Sequence, residues 1–303
     1  MNKLGALLLL ALVPAAAFAT NSKVGTSGAQ FLKIGAGARP TAMGEAYTAV
    51  SDDVNAVYFN PAGLATLERP EITAMHTQWF QGIDYNFGAF AHPGAHGTLA
   101  VSACTLQTDA IDKRAADESA LGTFTDLDAA YALSYAGKIN DLTSVGATAR
   151  YIRQQIDSEI ASTVGGDLGL LRKLDGTPFT LGLAARNFGA KVKFKEEGDP
   201  LPFVVDAGAA ARLLKDRLLL SLTLSAPRDN DLQYAAGVEW AERHTVVRYA
   251  ARAGYRSLAT DKDGASGISL GAGIGYRRLD FDFAWVPFGQ LGNTFRYAVL
   301  VRF

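Results

Sequence analysis

The C-terminal segment Phe295-Arg296-Tyr297-Ala298-Val299-Leu300-Val301-Arg302-Phe303 alternates between two kinds of side chain. Its odd-numbered residues are aromatic or β-branched, whereas its even-numbered residues include Arg296 and Arg302. Successive side chains of a β-strand point to opposite faces. The alternation therefore predicts a strand with one apolar face and one face that carries both arginines.

The same period of two recurs backward along the chain to about residue 72. In the preceding segment, Leu279, Phe281 and Phe283 alternate with Asp280 and Asp282. The segments are about ten residues long, as tilted membrane strands are, whereas soluble strands average about 5–6 residues. The predicted strands are 72–80, 84–92, 97–107, 127–138, 143–154, 163–173, 178–188, 202–213, 217–225, 231–240, 245–256, 266–276, 279–287 and 293–303.

The two faces of these strands favour a membrane barrel over a secreted β-sandwich, which is the alternative. One face is apolar with aromatic residues near the strand ends, and the other is built from Gly, Ala, Ser and isolated charges. Such a face suits a crowded, wet interior. We therefore predict an all-β fold, a transmembrane antiparallel β-barrel of about 14 strands over 71–303. Tight and longer connections alternate, as periplasmic turns and extracellular loops do, and an even number of strands leaves both termini in the periplasm.

Composition excludes several other classes of protein. The 303 residues include 29 Lys+Arg and 30 Asp+Glu, a net charge of -1, so no basic field would collect nucleic acid. Beyond the N-terminus no run approaches the roughly 20 apolar residues of a spanning helix. The single cysteine, Cys104, cannot form an internal disulfide.

The first residues are typical of a secretory signal peptide. Lys3 precedes an apolar stretch from Leu4 to Val13, and Ala17-Phe18-Ala19 forms a small-x-small cleavage site before Thr20. The alternative is a buried N-terminal helix. We interpret 1–19 as a signal peptide, and with the barrel prediction this places the protein in the cell outer membrane, in contact with its lipid.

Residues 20–70 differ from the rest of the chain and predict a hatch. The segment 41–47 favours a short helix with Thr41 as N-cap and Glu45 in its first turns, and a second helical turn lies within 51–59. A barrel of fourteen strands is wider than its own side chains can fill. We expect this helical segment inside the lumen. The alternative is a disordered periplasmic tail.

Charged residues on the inward faces are candidates for contact with the hatch. Unpaired charges in a partly dry interior are costly, so we expect them to pair with one another or with the hatch. A lining that selects solutes by charge is the alternative function. These lumen charges are Asp206, Arg212, Arg248, Arg252, Asp280, Asp282, Arg296 and Arg302.

Motifs at both ends of the mature chain carry a family resemblance. The N-terminal motifs are 25–35, 37–46 and 52–65, the last reading Asp52-Asp53-Val54-Asn55-Ala56-Val57-Tyr58-Phe59-Asn60-Pro61-Ala62-Gly63-Leu64-Ala65. Matching segments return at 229–239, 252–256 and 286–294. Together they resemble the PorV/PorQ family of FadL-like outer-membrane barrels. The hatch motif residues are Gly35, Gly37, Arg39, Gly44, Glu45, Asp52, Asp53, Asn60, Pro61 and Gly63.

The resemblance implies a fourteen-stranded barrel with an N-terminal hatch and leaves two functions open. The first is a role in protein export, as in type IX secretion, with a partner or cargo docking on the loops 108–126 and 189–201. The second is passive transport of hydrophobic compounds such as fatty acids, through an apolar passage near Met43, Tyr47 and Phe59. A purely structural barrel is a third. The terminal Phe303 resembles the signal by which barrel assembly recognises its substrates.

No residue pattern indicates catalysis or a bound cofactor. Pro93-Gly94 separates His92 from His96, which excludes a helix that would present both to one metal ion. Gly271, Gly273 and Gly275 fall within a predicted strand and not in a nucleotide-binding loop. We therefore expect neither an enzyme, nor a cofactor, nor a metal site, nor a nucleic-acid partner.

Overall fold

The computed structural model describes residues 24–257, 267–289 and 292–303, so the predicted signal peptide lies outside the described residues. Fourteen strands form a closed antiparallel barrel, and two short hairpins, β4–β5 and β10–β11, lie outside it. In chain order the strands are β1 (Glu71–Gln78), β2 (Ile83–Gly94), β3 (Gly97–Thr108), β4 (Ile111–Arg114), β5 (Ala120–Phe124), β6 (Asp126–Asn140), β7 (Thr143–Ile156), β8 (Glu159–Lys173), β9 (Phe179–Gly189), β10 (Val192–Lys193), β11 (Gly198–Asp199), β12 (Val204–Leu213), β13 (Leu218–Pro227), β14 (Gln233–Arg243), β15 (Val247–Arg256), β16 (Ile268–Tyr276), β17 (Leu279–Pro287) and β18 (Asn293–Arg302).

The first and last strands close the barrel. β1 pairs with β18 over its full length, with Glu71 opposite Arg302 and Gln78 opposite Phe295. The predicted fold class, an antiparallel barrel of fourteen strands, is confirmed. Along β18 the aromatic face is exposed on the outer wall, whereas Arg296 on the inner face is only 2% exposed. No helix among the described residues is long and apolar enough to cross a membrane.

The two ends of the barrel differ in their connections. The short-turn rim holds Phe303 and the connections 95–96, 141–142, 174–178, 214–217, 244–246 and 277–278. The long-loop rim holds the connections 79–82, 109–125, 157–158, 190–203 and 228–232, and β15, β16, β17 and β18 reach it at residues 257, 267, 288–289 and 292.

Three predicted loops at the long-loop rim contain strands: 189–201 contains the short β10–β11 hairpin, and the other two hold longer additions. The predicted loop 155–162 is wrong, because β7 and β8 continue to a two-residue turn at 157–158 where Asp157 has φ 55°. The predicted loop 108–126 contains the β4–β5 hairpin. Both additions carry polar residues on both faces, so they lack the apolar alternation on which the strand prediction depends.

The hatch, residues 24–70, contains only short helices. Two 3₁₀ helices span Gln30–Lys33 and Pro61–Thr66, and the α-helices are α1 (Ala38–Ala42) and α2 (Ala56–Phe59). The predicted helix 41–47 is wrong, because α1 begins earlier, with Gly37 as N-cap. Pro40 is tolerated there because amides of a first helical turn have no partner within the helix. Gly44 and Glu45, at φ 65° and 63°, end the helix.

Candidate functional site

The hatch fills the lumen and contacts the barrel wall backbone to backbone. A Cβ atom on Gly237 of β14 would lie 2.6 Å from the Met43 carbonyl oxygen, and one on Gly44 would lie 2.7 Å from the Tyr255 backbone. Real Cβ atoms do not approach so closely. Glycine on the inner face is therefore what lets the hatch pack this tightly. The other wall glycines that face the hatch are Gly146, Gly169, Gly182, Gly208, Gly254 and Gly271.

Arg39 of α1 is the centre of a buried ion-pair network. Its guanidinium lies 2.6 Å from Asp52, 2.9 Å from Asp53 and 2.8 Å from Glu239 of β14. It also donates a hydrogen bond of 2.8 Å to the Tyr47 hydroxyl. A single hatch arginine thus holds two hatch carboxylates together and binds them to the wall.

The network continues around the wall on both sides of Arg39. Glu239 accepts from Arg252 of β15 at 2.6 Å, and Arg252 also contacts Asp282 of β17 at 2.6 Å. On the other side, Arg212 of β12 lies 2.5 Å from Asp52. Alternating charges therefore join the hatch to four strands, β12, β14, β15 and β17.

A second cluster lies where the barrel closes, at the short-turn rim. Arg302 contacts Glu71 at 2.9 Å and also Asp280, which lies 2.6 Å from Arg248. The second Glu71 oxygen accepts a 2.9 Å hydrogen bond from the Val54 amide of the hatch. Glu71 thus ties the closing strand pair to the hatch.

Arg256 and Arg296 hold the part of the hatch around Glu45. Arg256 lies 2.5 Å from the Glu45 carboxylate. Arg296 donates to the Gly35 carbonyl at 2.9 Å and to the Thr41 hydroxyl, and lies 3.9 Å from Glu45. These contacts span the turn that ends α1.

Asp206 pairs within the wall, as Asp280 and Asp282 do. Its carboxylate lies 2.7 Å from Arg186 of β9 and accepts from Ser225 of β13 at 2.5 Å. The Arg186 guanidinium in turn lies over the Tyr58 ring of the hatch, 5.2 Å from its centroid. Asp206 therefore reaches the hatch only through Arg186.

Asn60 and Gly63 fix the other side of the hatch. The Asn60 amide donates to the Leu170 carbonyl of β8 at 3.0 Å, and its side-chain oxygen accepts from Ala62 at 3.2 Å. Pro61 follows at the start of the 3₁₀ helix, where its missing amide has no cost. A Cβ on Gly63 would overlap the Ser51 carbonyl.

The structure does not place Met43, Tyr47 and Phe59 along a passage, which corrects the predicted ligand lining. All three are at most 2% exposed and belong to the hydrophobic core of the hatch. Tyr47 and Phe59 pack edge to face, with ring centroids 5.4 Å apart. Their apolar character serves packing against the wall.

Glu71, Glu239, Arg186 and Arg256 were not among the predicted sites, although their contacts are as close as those of the predicted charges. Glu239 alternates with apolar residues in its strand, so its inward direction was readable from the sequence. Its partner was not, because pairing across a lumen depends on how the strands are arranged around the barrel.

Two carboxyl groups outside the strands are held charged by their partners. Burial works to raise the pKa of Asp52, but Arg39 and Arg212 outweigh it and hold this pKa well below its usual range. At the long-loop rim, burial is likewise outweighed at Asp229, whose pKa is lowered by hydrogen bonds from Lys33 and Gln30. The Lys33–Asp229 distance is 2.6 Å.

The Asp229 contact should make attachment of the hatch pH-dependent in acid. A carboxyl with a depressed pKa stabilises the folded state above its ordinary value of about 3.9, and this is lost as the pH falls through the lowered value. We expect hydrogen exchange of amides 27–34 to be slow at pH 7 and, after correction for intrinsic rates, faster below about pH 3. Asp229→Asn should exchange fast at pH 7, unlike the exposed control Asp112→Asn; equal protection in both would contradict the prediction.

Cavities of different character lie on the two sides of the hatch. The mouth cavity, at the long-loop rim, has a volume of about 390 Å³ and apolar walls that include Phe31, Leu106 and Phe194. The vestibule, toward the short-turn rim, has a volume of about 330 Å³ and is lined by the charges around Arg39 and Arg302. The two cavities share no lining residue. The hatch separates them.

Among residues 24–257, 267–289 and 292–303, no group of three or more His, Cys, Asp or Glu is arranged to hold a metal ion. The carboxylates around Arg39, Arg256 and Arg302 instead have arginine partners within hydrogen-bond distance. The arrangement is chemically suited to holding a plug in place.

Comparison with known proteins identifies the architecture. The sequence profile of the "Uncharacterised protein family (UPF0164)" matches residues 10–201. No curated protein sequence matches the chain.

Three solved structures have the same fold at low sequence identity. The CymD monoaromatic hydrocarbon channel has a TM-score of 0.63 and 14% identity, covering 89% of this chain and 98% of its own. The Pseudomonas putida toluene transporter TodX has a TM-score of 0.63 and 11% identity, covering 88% and 97%. A Pseudomonas aeruginosa FadL homologue has a TM-score of 0.59 and 13% identity, covering 88% and 98%. The chain therefore has a FadL-like outer-membrane barrel fold.

Proposed function

Because the chain belongs to the UPF0164 family, whose description names no activity, we propose a function from its fold and lumen: passive transport of hydrophobic small molecules across the outer membrane. In this proposal the long-loop rim faces outward and the short-turn rim faces the periplasm. The mouth cavity, an apolar cavity directly on the hatch, is the observation that carries it.

The mouth cavity suits capture of an apolar compound from an aqueous surface. Its volume of about 390 Å³ falls within the usual range for small-molecule sites, about 300–1,000 Å³. Phe31 and Ile34 of the hatch form part of its lining, so a captured compound would touch the element that must move. The names of CymD and TodX, a monoaromatic hydrocarbon channel and a toluene transporter, support the same class of compound.

Uptake by whole cells tests the proposal. A Gram-negative host without such a channel should take up radiolabelled toluene several-fold faster when it makes this chain, with uptake of a disaccharide unchanged. Phe194→Asp, which places a charge in the mouth cavity, should abolish the gain. Leu121→Asp is the matched control on the exposed strand β5, where the side chain is 58% exposed. Equal toluene uptake with and without the chain would contradict the proposal.

Protein export, implied by the resemblance to PorV, remains the second candidate. The observation that favours it is the β4–β5 hairpin, which presents Ile111 at 41% exposure and Leu121 at 58% at the long-loop rim. A stoichiometric partner that copurifies with the full chain and is lost when 111–124 are deleted would support export. Recovery of the full chain alone would count against it.

A further inference from the structure

The mouth cavity combines apolar walls with an unusual electrostatic character. Its apolar residues come from three parts of the chain: Phe31 and Ile34 from the hatch, Leu106 from β3, and Val192 and Phe194 from the connection between β9 and β12. Among the described residues, the charged side chains that line it are both carboxylates, Asp128 and Asp199, and no Lys, Arg or His contributes to the lining.

Asp128 of β6 is the polar group that the fold leaves incompletely satisfied. The residue is only 6% exposed. One of its carboxylate oxygens accepts a 2.9 Å hydrogen bond from Gln154 of β7, whereas the other has no hydrogen-bond partner. Asp126, two residues along the same face, also has an oxygen without a partner.

Two basic residues of the hatch and of β7 are bound to other carboxylates. Lys33 of the hatch is bound to Asp229 at 2.6 Å. Arg150, on the inner face of β7, is bound to Asp167 at 2.6 Å and to Asn187. Neither Lys33 nor Arg150 is therefore free to pair with an anionic ligand in the cavity.

These observations define what the cavity can accept. The Asp128 carboxylate lines the cavity and accepts one protein hydrogen bond, so a ligand that supplies an N–H or O–H to it gains a charge-assisted hydrogen bond. A ligand carboxylate would instead bring like charges together where water is scarce. An apolar ligand with one hydrogen-bond donor meets both conditions.

We propose that the mouth cavity selects apolar compounds that carry an amine or hydroxyl group, recognised by the Asp128 carboxyl, and disfavours carboxylates such as fatty-acid anions. The proposal rests on the transport function above and narrows its substrate class. Asp128 is the residue that sets specificity, and the hatch and loop residues supply the apolar contact.

Binding of three compounds with one shared body tests the selection. The probes are 2-phenylethylamine, 2-phenylethanol and 3-phenylpropionate, titrated at pH 8.5, where the amine is still protonated, into the full chain in lipid nanodiscs. We expect affinity to fall in that order, with the amine bound about 10-fold to 100-fold more tightly than the carboxylate, as charge-assisted hydrogen bonds allow. This ranking needs no variant. Equal or tighter binding of 3-phenylpropionate would overturn the proposal.

Variants locate the selection at Asp128. Asp128→Asn should weaken binding of the amine by about tenfold or more and reduce its advantage over the carboxylate. Asp112→Asn removes the same charge from the exposed β4–β5 hairpin, where the side chain is 71% exposed, and should leave the order unchanged. If Asp128→Asn keeps the wild-type preference, the assignment is wrong.

The outcomes separate this proposal from the transport function. Selective binding in nanodiscs without faster uptake by cells would support the cavity as a recognition site and contradict transport. Faster uptake of toluene together with no preference for the amine would support transport and overturn the role of Asp128.

Discussion

Replacing Arg39 with alanine should unseat the hatch while the barrel stays closed. The substitution removes the cation shared by Asp52, Asp53 and Glu239, all within 2.9 Å of it. Breaking a buried ion pair by removing one partner costs about 3–5 kcal/mol, because the remaining charge is uncompensated. The population with an unseated hatch should therefore rise by a factor on the order of 10²–10³.

Single-channel conductance in planar bilayers measures this change. The wild-type chain should conduct rarely, whereas Arg39→Ala should show frequent large openings. Arg69→Ala is the matched control, because Arg69 also belongs to the hatch but is exposed. Heat-modifiable migration on a gel checks that the barrel is folded in each variant. If Arg39→Ala conducts like Arg69→Ala, the network around Arg39 does not hold the hatch.

Replacing Gly254 with alanine should displace the hatch by steric overlap instead of lost charge. A Cβ on this β15 residue would overlap the backbone of Met43 and Gly44. Neither the strand backbone nor the hatch backbone can rotate away as a side chain can. Overpacking a tight interior typically costs about 1–3 kcal/mol, and contact with fixed backbone places this site at the upper end or beyond.

Protease sensitivity of the hatch reports the displacement. Gly254→Ala should become cleavable within 24–70 while the strands stay protected. Gly88→Ala provides the control, since a Cβ there would have its nearest neighbour, the Thr73 carbonyl oxygen, at an ordinary 3.7 Å. Equal protection of the hatch in both variants would refute the proposed close packing.

The period of two predicted the barrel because membrane strands must present apolar residues to lipid at every second position. It worked for β18, where the exposed and buried residues alternate as the sequence does. It failed where β7 and β8 approach the long-loop rim. There the two faces of each strand do not differ in polarity, as at Gln155 and Ser162. The hydrophobic requirement ends there, although hydrogen bonding between the strands continues.

The candidate site was predictable only in part. The alternation predicted which side chains face the lumen, so Arg252 and Asp282 were recognised as lumen charges. Their pairing depends on which strands lie side by side and how deep each residue sits. Asp128 was not recognised, because its significance comes from the hatch and a distant loop that together form the mouth cavity.

The ion-pair network around Arg39 also constrains the order in which the hatch and the barrel can fold. Arg39 and Glu239 are 200 positions apart in the chain, and Arg296 reaches Gly35 across 261 positions. The hatch precedes these partners in the chain. It therefore cannot be fixed in the lumen until the last strands of the barrel have folded. Closure of β1 on β18, which aligns Arg302 with Glu71 beside the Val54 amide, thus completes the wall and its seal together.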